Sequence, residues 1–81
     1  MSGRRHIIVH EADTVATVLD TDSSQTRLAG GLPCAPGIPF GHKVAVRRMP
    51  AGTAVVKYGV VIGQATQDIA PGDHVHVHNC R

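Results

Sequence analysis

The order of apolar and polar positions predicts a chain built mainly from short β-strands. Residues 6–10 place three consecutive β-formers between two histidines, which is typical of a short buried strand. Residues 43–47 alternate polar and apolar side chains, as a strand with one solvent-facing side does. Three further runs rich in valine also predict strands, at residues 54–58, 60–62 and 74–78.

One short helix is expected near the amino terminus. Asp13 is suited to the N-cap, because its carboxylate can accept hydrogen bonds from the free amides of a first helical turn. Apolar residues then follow at a spacing that gives one stripe over about two turns: Val15, Ala16, Val18 and Leu19. The pattern therefore predicts a helix over residues 13–20.

Residues 20–42 are too dense in glycine and proline for a helix or a long strand. Loops of this length are uncommon in small domains and are often functional or ordered by a partner. We expect this segment to be flexible in the isolated chain and ordered in a complex.

Two segments, residues 49–52 and 69–73, share one order of an apolar residue, a Pro/Gly turn and a following strand. Short strands joined by such turns favour a compact, folded-over β arrangement rather than a flat sheet. The fold prediction is a mainly β single domain over residues 1–81, with an ordered core at about residues 6–79.

Composition leaves little material for a core. The 81 residues include eleven valines but one Phe, one Tyr and no Trp. A chain of this size buries only about 60% of the surface that it exposes when unfolded. We therefore expect a partner subunit, or self-association when the chain is alone.

The net charge and the cysteine spacing limit which classes of function are compatible with this chain. The net charge of +2 is too small for a nucleic-acid footprint, and interleaved aromatics are missing, whereas small anionic metabolites remain compatible. Cys34 and Cys80 have no metal-binding spacing and no signal peptide precedes them. Reduced thiols in a cytoplasmic protein are therefore expected, with a disulfide between them as the alternative.

No apolar run approaches the about 20 residues of a membrane span, so a soluble protein is expected.

The segment His74-Val75-His76-Val77-His78 carries the clearest chemical signal. On a strand its three imidazoles would share one face, and neighbours on that face lie about 7 Å apart. Two of them could hold one metal ion or one anion, since imidazole suits Fe, Zn, Cu or Ni. The alternative is an exposed strand whose wet face happens to be histidine.

Three other short motifs could contribute binding groups. Gly41-His42-Lys43 could bind a carboxylate or transfer a proton, or it is a solvated loop tip. Lys57-Tyr58-Gly59 places donors at a glycine kink, unless Tyr58 simply packs in the core. His10 lies at an element boundary close to Asp13, where the plain alternatives are a surface histidine and a helix cap.

Taken in order, these motifs resemble one family over residues 6–79, nearly the whole chain. They are His-x-x-Asp-x-Val-Ala-Thr from residue 10, Gly-His-Lys-Val-Ala from 41, Val-Lys-Tyr-Gly from 56, Ile-Gly-x-Ala-Thr from 62 and Gly-Asp-His-Val-His-Val-His-Asn from 72. The set resembles the SAF-type amino-terminal domain of altronate and galactarate dehydratases. It is similar also to the stand-alone small subunits of that group and to the small subunit of sulfolactate sulfo-lyase.

The resemblance implies a β-clip fold and a metal-assisted hydro-lyase whose larger catalytic subunit supplies most of the site. The reaction would convert a hydroxy-acid into a 2-keto-3-deoxy acid. The implied metal is Fe²⁺, with Mg²⁺ or Mn²⁺ as alternatives, shared with the large subunit. The chain alone is expected to be inactive.

The resemblance also implies roles for individual residues. We expect His10, His42 and Lys43 to be catalytic. Substrate binding is expected from Lys57, Tyr58 and Asn79, and metal binding from His76 and His78. Two other functions stay open: elimination of sulfite from sulfolactate, and a non-catalytic ligand-binding SAF module similar to those of sialic-acid synthases and antifreeze proteins.

Overall fold

A computed structural model describes residues 3–81 and contains six short strands in two antiparallel sheets. The strands are β1 His6–Ile7, β2 Val15–Val18, β3 Lys43–Ala45, β4 Ala54–Lys57, β5 Val60–Gln64 and β6 His74–Val75. One sheet has the order β1-β2-β3-β6, and β4 pairs with β5 in a separate hairpin. The mainly β prediction is confirmed, and no helix long and apolar enough to cross a membrane occurs within residues 3–81.

The predicted helix over residues 13–20 is wrong, because Val15–Val18 forms β2 between β1 and β3. All four side chains of β2 are buried. Val15 packs into one apolar cluster, whereas Ala16 and Val18 pack into another on the opposite face. A strand that is covered on both faces has a continuous run of apolar residues in its sequence. Over so short a stretch, the same run is also compatible with the apolar stripe of an amphipathic helix.

Two small apolar clusters take the place of one large core. The first joins the sheet to the hairpin: Val15, Ala45, Met49, Val55, Ala65, Ile69 and Val75. The second packs the long loop on the other face of the sheet: Ala16, Val18, Leu28, Cys34, Ile38 and Val44. Valine and alanine make up much of each cluster, and the larger members are Met49 and Ile69 in the first and Leu28 and Ile38 in the second.

The hairpin is fastened to the four-stranded sheet through Thr14. Its amide donates to the Val56 carbonyl at 3.0 Å, and its hydroxyl accepts from the Val56 amide at 2.9 Å. Its carbonyl accepts from the Val46 amide at 2.9 Å, so one residue links three segments. These bonds hold β4 beside the start of β2.

Residues 20–42 form isolated bridges and turns, and no strand runs through this segment of the described chain. The loop nevertheless supplies Leu28, Cys34 and Ile38 to the second cluster. It is also tied to Arg4, whose fully buried guanidinium donates to Asp20 Oδ1 at 2.8 Å. The solution mobility of the loop stays a prediction.

The two similar turn segments pair with each other. Met49 and Ile69 exchange amide-to-carbonyl hydrogen bonds of 2.8 Å in both directions. Gly72, at φ 94°, has Pro33 backbone atoms 3.0 Å from where a Cβ would lie. Positive φ and close approach both favour glycine there.

The first strand is shorter and more exposed than predicted. β1 covers His6–Ile7, and Ile7, Ile8 and Val9 are all exposed rather than buried. β1 is an edge strand paired with β2 on one side, so its apolar run is not covered on both faces.

Candidate functional site

Three histidines from two elements form a cluster at the end of the four-stranded sheet. Because β3 and β6 pair antiparallel with Val44 opposite His74, His42 just before β3 comes beside β6. His42 Nδ1 lies 2.9 Å from His74 Nε2, and the ring centroids of His42 and His76 are 4.6 Å apart. We call His42, His74 and His76 the histidine cluster.

The last histidine segment starts as a strand and then turns. β6 ends at Val75, so the strand predicted over residues 74–78 is confirmed for its first two residues only. Asn79, which is 2% exposed, accepts from the His76 amide at 2.9 Å and donates to the His74 carbonyl at 2.8 Å. These two bonds fix the turn that follows His76, while the register of β3 and β6 places His76 opposite His42. Asn79 therefore positions the histidines, and both its amide oxygen and its amide nitrogen are engaged by backbone.

His78 lies beside the cluster but outside it. Its ring centroid is 5.7 Å from that of His74, in a tilted arrangement. The set of imidazole nitrogens within 4.8 Å of one another consists of His42, His74 and His76. Of the predicted metal pair, His76 belongs to this set and His78 does not, and metal binding by either residue stays a prediction.

The surroundings of His74 favour its neutral form. Burial lowers the pKa of His74 from its ordinary value of 6.5, and the neighbouring imidazoles and Lys43 lower it further by charge repulsion. A neutral imidazole keeps the lone pair with which it binds a metal or accepts a proton. Within residues 3–81 this cluster is the one group of histidine, cysteine and carboxylate side chains close enough to share an ion. Three nitrogen donors fit Fe, Zn, Cu or Ni better than Mg²⁺, which prefers oxygen.

A cleft of about 400 Å³ opens next to the cluster and shares His76 with it. Its lining is Lys43, Lys57, Ile62, His76, Val77, Cys80 and Arg81. Three basic residues and no Asp or Glu belong to this lining, so its chemistry suits a small anion. Lys43 and Lys57 come from β3 and β4, so two predicted site residues from different sheets meet here.

Tyr58 and Gly59 form the tight turn of the β4–β5 hairpin. Both have positive φ, 56° and 75°, the pattern of a type I′ turn. A tyrosine in this region is uncommon and costs free energy relative to Asn or Gly. Its half-exposed ring lies with its centroid 4.9 Å from the Lys57 ammonium, outside the cleft lining.

Asp13 fixes this turn and is not a helix cap. Its Oδ1 accepts from the Gly59 amide at 2.7 Å, and its Oδ2 accepts from the Val9 and His10 amides at 3.2 Å each. Burial pushes the pKa of Asp13 up, but these backbone donors together hold it below the ordinary value of 3.8. One carboxylate thereby joins residues 9–13 to the hairpin tip.

His10 stands at the hairpin turn rather than in the histidine cluster. Its Nδ1 accepts from the Ala12 amide at 3.0 Å, and its Cδ2 lies 3.0 Å from where a Cβ on Gly59 would be. The ring is exposed and packs against the glycine of the turn. His10 and Tyr58 therefore border the hairpin tip, apart from the cleft lining.

Sequence reasoning assigned no role to His74 or Arg81. His74 was part of the histidine motif, and the antiparallel pairing of β3 with β6 is what sets it against His42. Arg81 lines the cleft because residues 80–81 pair with the end of β5, and its amide and carbonyl both bond Gln64. No local pattern in the sequence predicts that pairing.

Comparisons with known proteins identify one matching family and several relatives. Residues 4–81 match the family model described as the altronate/galactarate dehydratase SAF domain. The chain is 42% identical over 64 residues to the (2R)-sulfolactate sulfo-lyase subunit alpha of Paracoccus pantotrophus, covering 79% of this chain and 90% of that subunit. It is 36% identical over 78 residues to the altronate dehydratase of Bacillus subtilis, covering 93% of this chain but 16% of that enzyme. It is 38% identical over 72 residues to the galactarate dehydratase of Escherichia coli, covering 86% of this chain and 14% of that enzyme.

Proposed function

This chain belongs to the SAF-domain family of the altronate and galactarate dehydratases, and we propose that it is the small, anion-binding subunit of a lyase completed by a larger subunit. The observation that carries the proposal is the cleft lined by Lys43, Lys57 and Arg81 beside the histidine cluster, without an Asp or Glu in its lining. Such a site can bind an acid, but it lacks the oxygen ligands from which hard cation sites are built.

The proposed reaction removes water from a hydroxy-acid. A base takes the proton from the carbon next to the carboxylate, the hydroxyl on the following carbon leaves with a proton as water, and the resulting enol becomes the 2-keto-3-deoxy acid. In this chain Lys43 and Lys57 would hold the substrate carboxylate as cations. His76, on the wall between cleft and cluster, would bring a metal held by the cluster next to the bound acid.

A divalent metal fits the histidine cluster and would polarise a substrate oxygen when bound. His42, His74 and His76 would be its ligands from this chain, with further ligands from the large subunit. The donor set favours Fe²⁺ among the three ions expected from the family. Asn79 would act indirectly, by holding His74 and His76 in place.

Sulfite elimination from sulfolactate is the second candidate. This chain spans 90% of the Paracoccus sulfo-lyase subunit alpha that it matches, but about one sixth of the dehydratases. In that reaction the carbon–sulfur bond would break in place of the carbon–oxygen bond, while the carboxylate-binding role of the cleft stays the same. A non-catalytic ligand-binding module is less favoured, because it would have no need of clustered imidazoles beside the cationic cleft.

The test is reconstitution with defined substrates. The purified chain, its larger subunit and the mixture are each given Fe²⁺, Mg²⁺ or Mn²⁺ with altronate, galactarate or sulfolactate, and 2-keto acid and sulfite are measured. Product from the mixture only is the expected result, and the product identifies the reaction. Turnover by the chain alone would contradict the shared site, and no turnover by the mixture on any of the three acids would contradict the lyase function.

A further inference from the structure

Exposed apolar side chains border the mouth of the cationic cleft. Val60 and Ile62 point to the same side of β5, because side chains alternate along a strand. Lys57 pairs with Val60 across the hairpin and therefore shares that face, and Val77 reaches the same cleft from the turn after β6. We call Val60, Ile62 and Val77 the hairpin rim; they are 61%, 43% and 82% exposed.

Nothing in residues 3–81 covers the hairpin rim. The β4–β5 sheet has two strands, and β5 makes its other backbone pairs near its end, where Gln64 bonds Arg81. Single exposed valines are ordinary on protein surfaces, but apolar side chains grouped around a binding cleft mark an interaction surface.

We propose that the hairpin rim is the docking surface for the larger catalytic subunit, and that docking closes the cleft; this inference rests on the proposed function. The partner surface must offer apolar side chains to the rim and a carboxylate to Arg81, while Lys43 and Lys57 stay free for the substrate carboxylate.

The comparisons and the charge distribution both favour this occupant. In the Bacillus dehydratase the matched domain is 16% of the enzyme, so most of that polypeptide lies outside the domain and is available to contact it. A second copy of this chain would bring like-charged clefts together across a two-fold contact, which is unfavourable at close range. An acidic, larger partner avoids that repulsion.

The test compares substitutions in the hairpin rim with a substitution on the opposite face of β5. Val60→Ser with Val77→Ser removes apolar surface from the rim, whereas Val61→Ser changes the opposite face of β5, where Val61 is 63% exposed. The tagged wild-type chain is purified from the cells that express it, and the co-purifying protein is identified by mass spectrometry. It must match the part of the dehydratases outside this domain. Its affinity for each chain is then measured by isothermal titration calorimetry.

We expect at least tenfold weaker binding for the double variant and less than a twofold change for Val61→Ser. Thermal unfolding of each free chain checks the fold, and Val77→Ser alone, outside any strand, replaces the double variant if that fails to fold. Unchanged affinity of the rim variants, or equal loss with Val61→Ser, overturns the docking surface while leaving the lyase function intact. A homodimer broken by the rim variants assigns the surface to a second copy and also overturns the proposal. Failure of the lyase function is seen separately, as a wild-type complex that turns over none of the three acids.

Discussion

At the scale of single residues, side chains that touch no cleft hold the site together. Asp13 binds three backbone amides from two segments, and Asn79 binds the backbone of both His74 and His76. Each polar side chain is buried, and each satisfies main-chain groups that would otherwise lack partners. Asn79 thus fixes the backbone of two histidines of the cluster, and Asp13 fixes the turn that follows Lys57.

The histidine cluster predicts which imidazoles bind metal. His74→Ala should weaken Co²⁺ or Ni²⁺ binding to the purified chain at least tenfold, because it removes one of the three nitrogens of the set. His78→Ala is the matched control and should change affinity less than threefold, since its ring contacts His74 from outside the set. Calorimetric titration measures both. The reverse order of effects would restore the pair His76 and His78 as the ligands.

Asp13 predicts a pH dependence of stability. Its folded pKa lies below the ordinary 3.8, so the folded state gains stability above that value and loses it as pH falls through 3.8 toward the folded pKa. The free energy of unfolding of the wild type should therefore drop in this range. Asp20 and Asp22 also have lowered pKa values, so the contribution of Asp13 is isolated by comparison with Asp13→Asn. Urea unfolding from pH 5 to pH 2 should give a smaller slope for the variant; identical slopes would contradict the assignment.

At the scale of elements, the β4–β5 hairpin contributes residues to the cleft and also contacts His10. Its first strand supplies Lys57 to the cleft, its second supplies Ile62, and its turn packs against His10. The hairpin is held to the main sheet by Thr14 and Asp13. The geometry of this one turn therefore affects the cleft, the hairpin rim and His10 together.

The strained turn leads to the prediction that one substitution raises stability and weakens substrate binding. Tyr58→Asn should stabilise the chain by about 1 kcal/mol, because asparagine tolerates the left-handed backbone that tyrosine adopts at some cost. If Tyr58 binds substrate as predicted, the same change should raise KM in the assembled enzyme. Tyr58→Phe is the control, which keeps the strain and removes only the hydroxyl. Denaturant unfolding and steady-state kinetics measure the two effects, and a variant with wild-type KM would remove Tyr58 from the binding residues.

At the scale of the whole molecule, the chain is a thin layered domain that exposes much of its apolar surface. Two separate clusters of small side chains stabilise it, and one of them depends on the long loop. The exposed valines and isoleucines of the hairpin and of residues 7–9 lie outside both clusters. This distribution is typical of a domain that is completed by another protein surface.

The long loop gives a prediction for hydrogen exchange. In the isolated chain, the amides of Gly30 and Leu32, which donate no hydrogen bond within residues 3–81, should exchange quickly, while those of Leu28, Ala29, Gly31 and Cys34, bonded at 2.7 to 2.9 Å, should be slower. Binding of the large subunit should slow exchange at Gly30 and Leu32. Exchange followed by mass spectrometry or NMR on the free and assembled chain measures this. Uniform strong protection of residues 20–42 in the free chain would show that the loop is not flexible.

The sequence by itself determined the family, the mainly β class, the turns and the residue types of the site. Period-two alternation at residues 43–47, the Pro/Gly turns and the ordered motifs are local signals, so they can be read without coordinates. The same local reading misassigned β2, because four consecutive residues buried on two faces resemble a helical stripe when the neighbouring strands are unknown.

The tertiary structure alone decided which site residues meet. The pairing of β3 with β6 places His42 beside His74 and His76, and the chain turns after His76, so the cluster differs from the pair expected on a straight strand. Pairing of distant segments also puts Lys43 and Lys57 on one cleft. Contacts between residues far apart in sequence depend on strand register and on buried hydrogen bonds. Neither leaves a local pattern in the chain, which is why composition and spacing named the groups but not their arrangement.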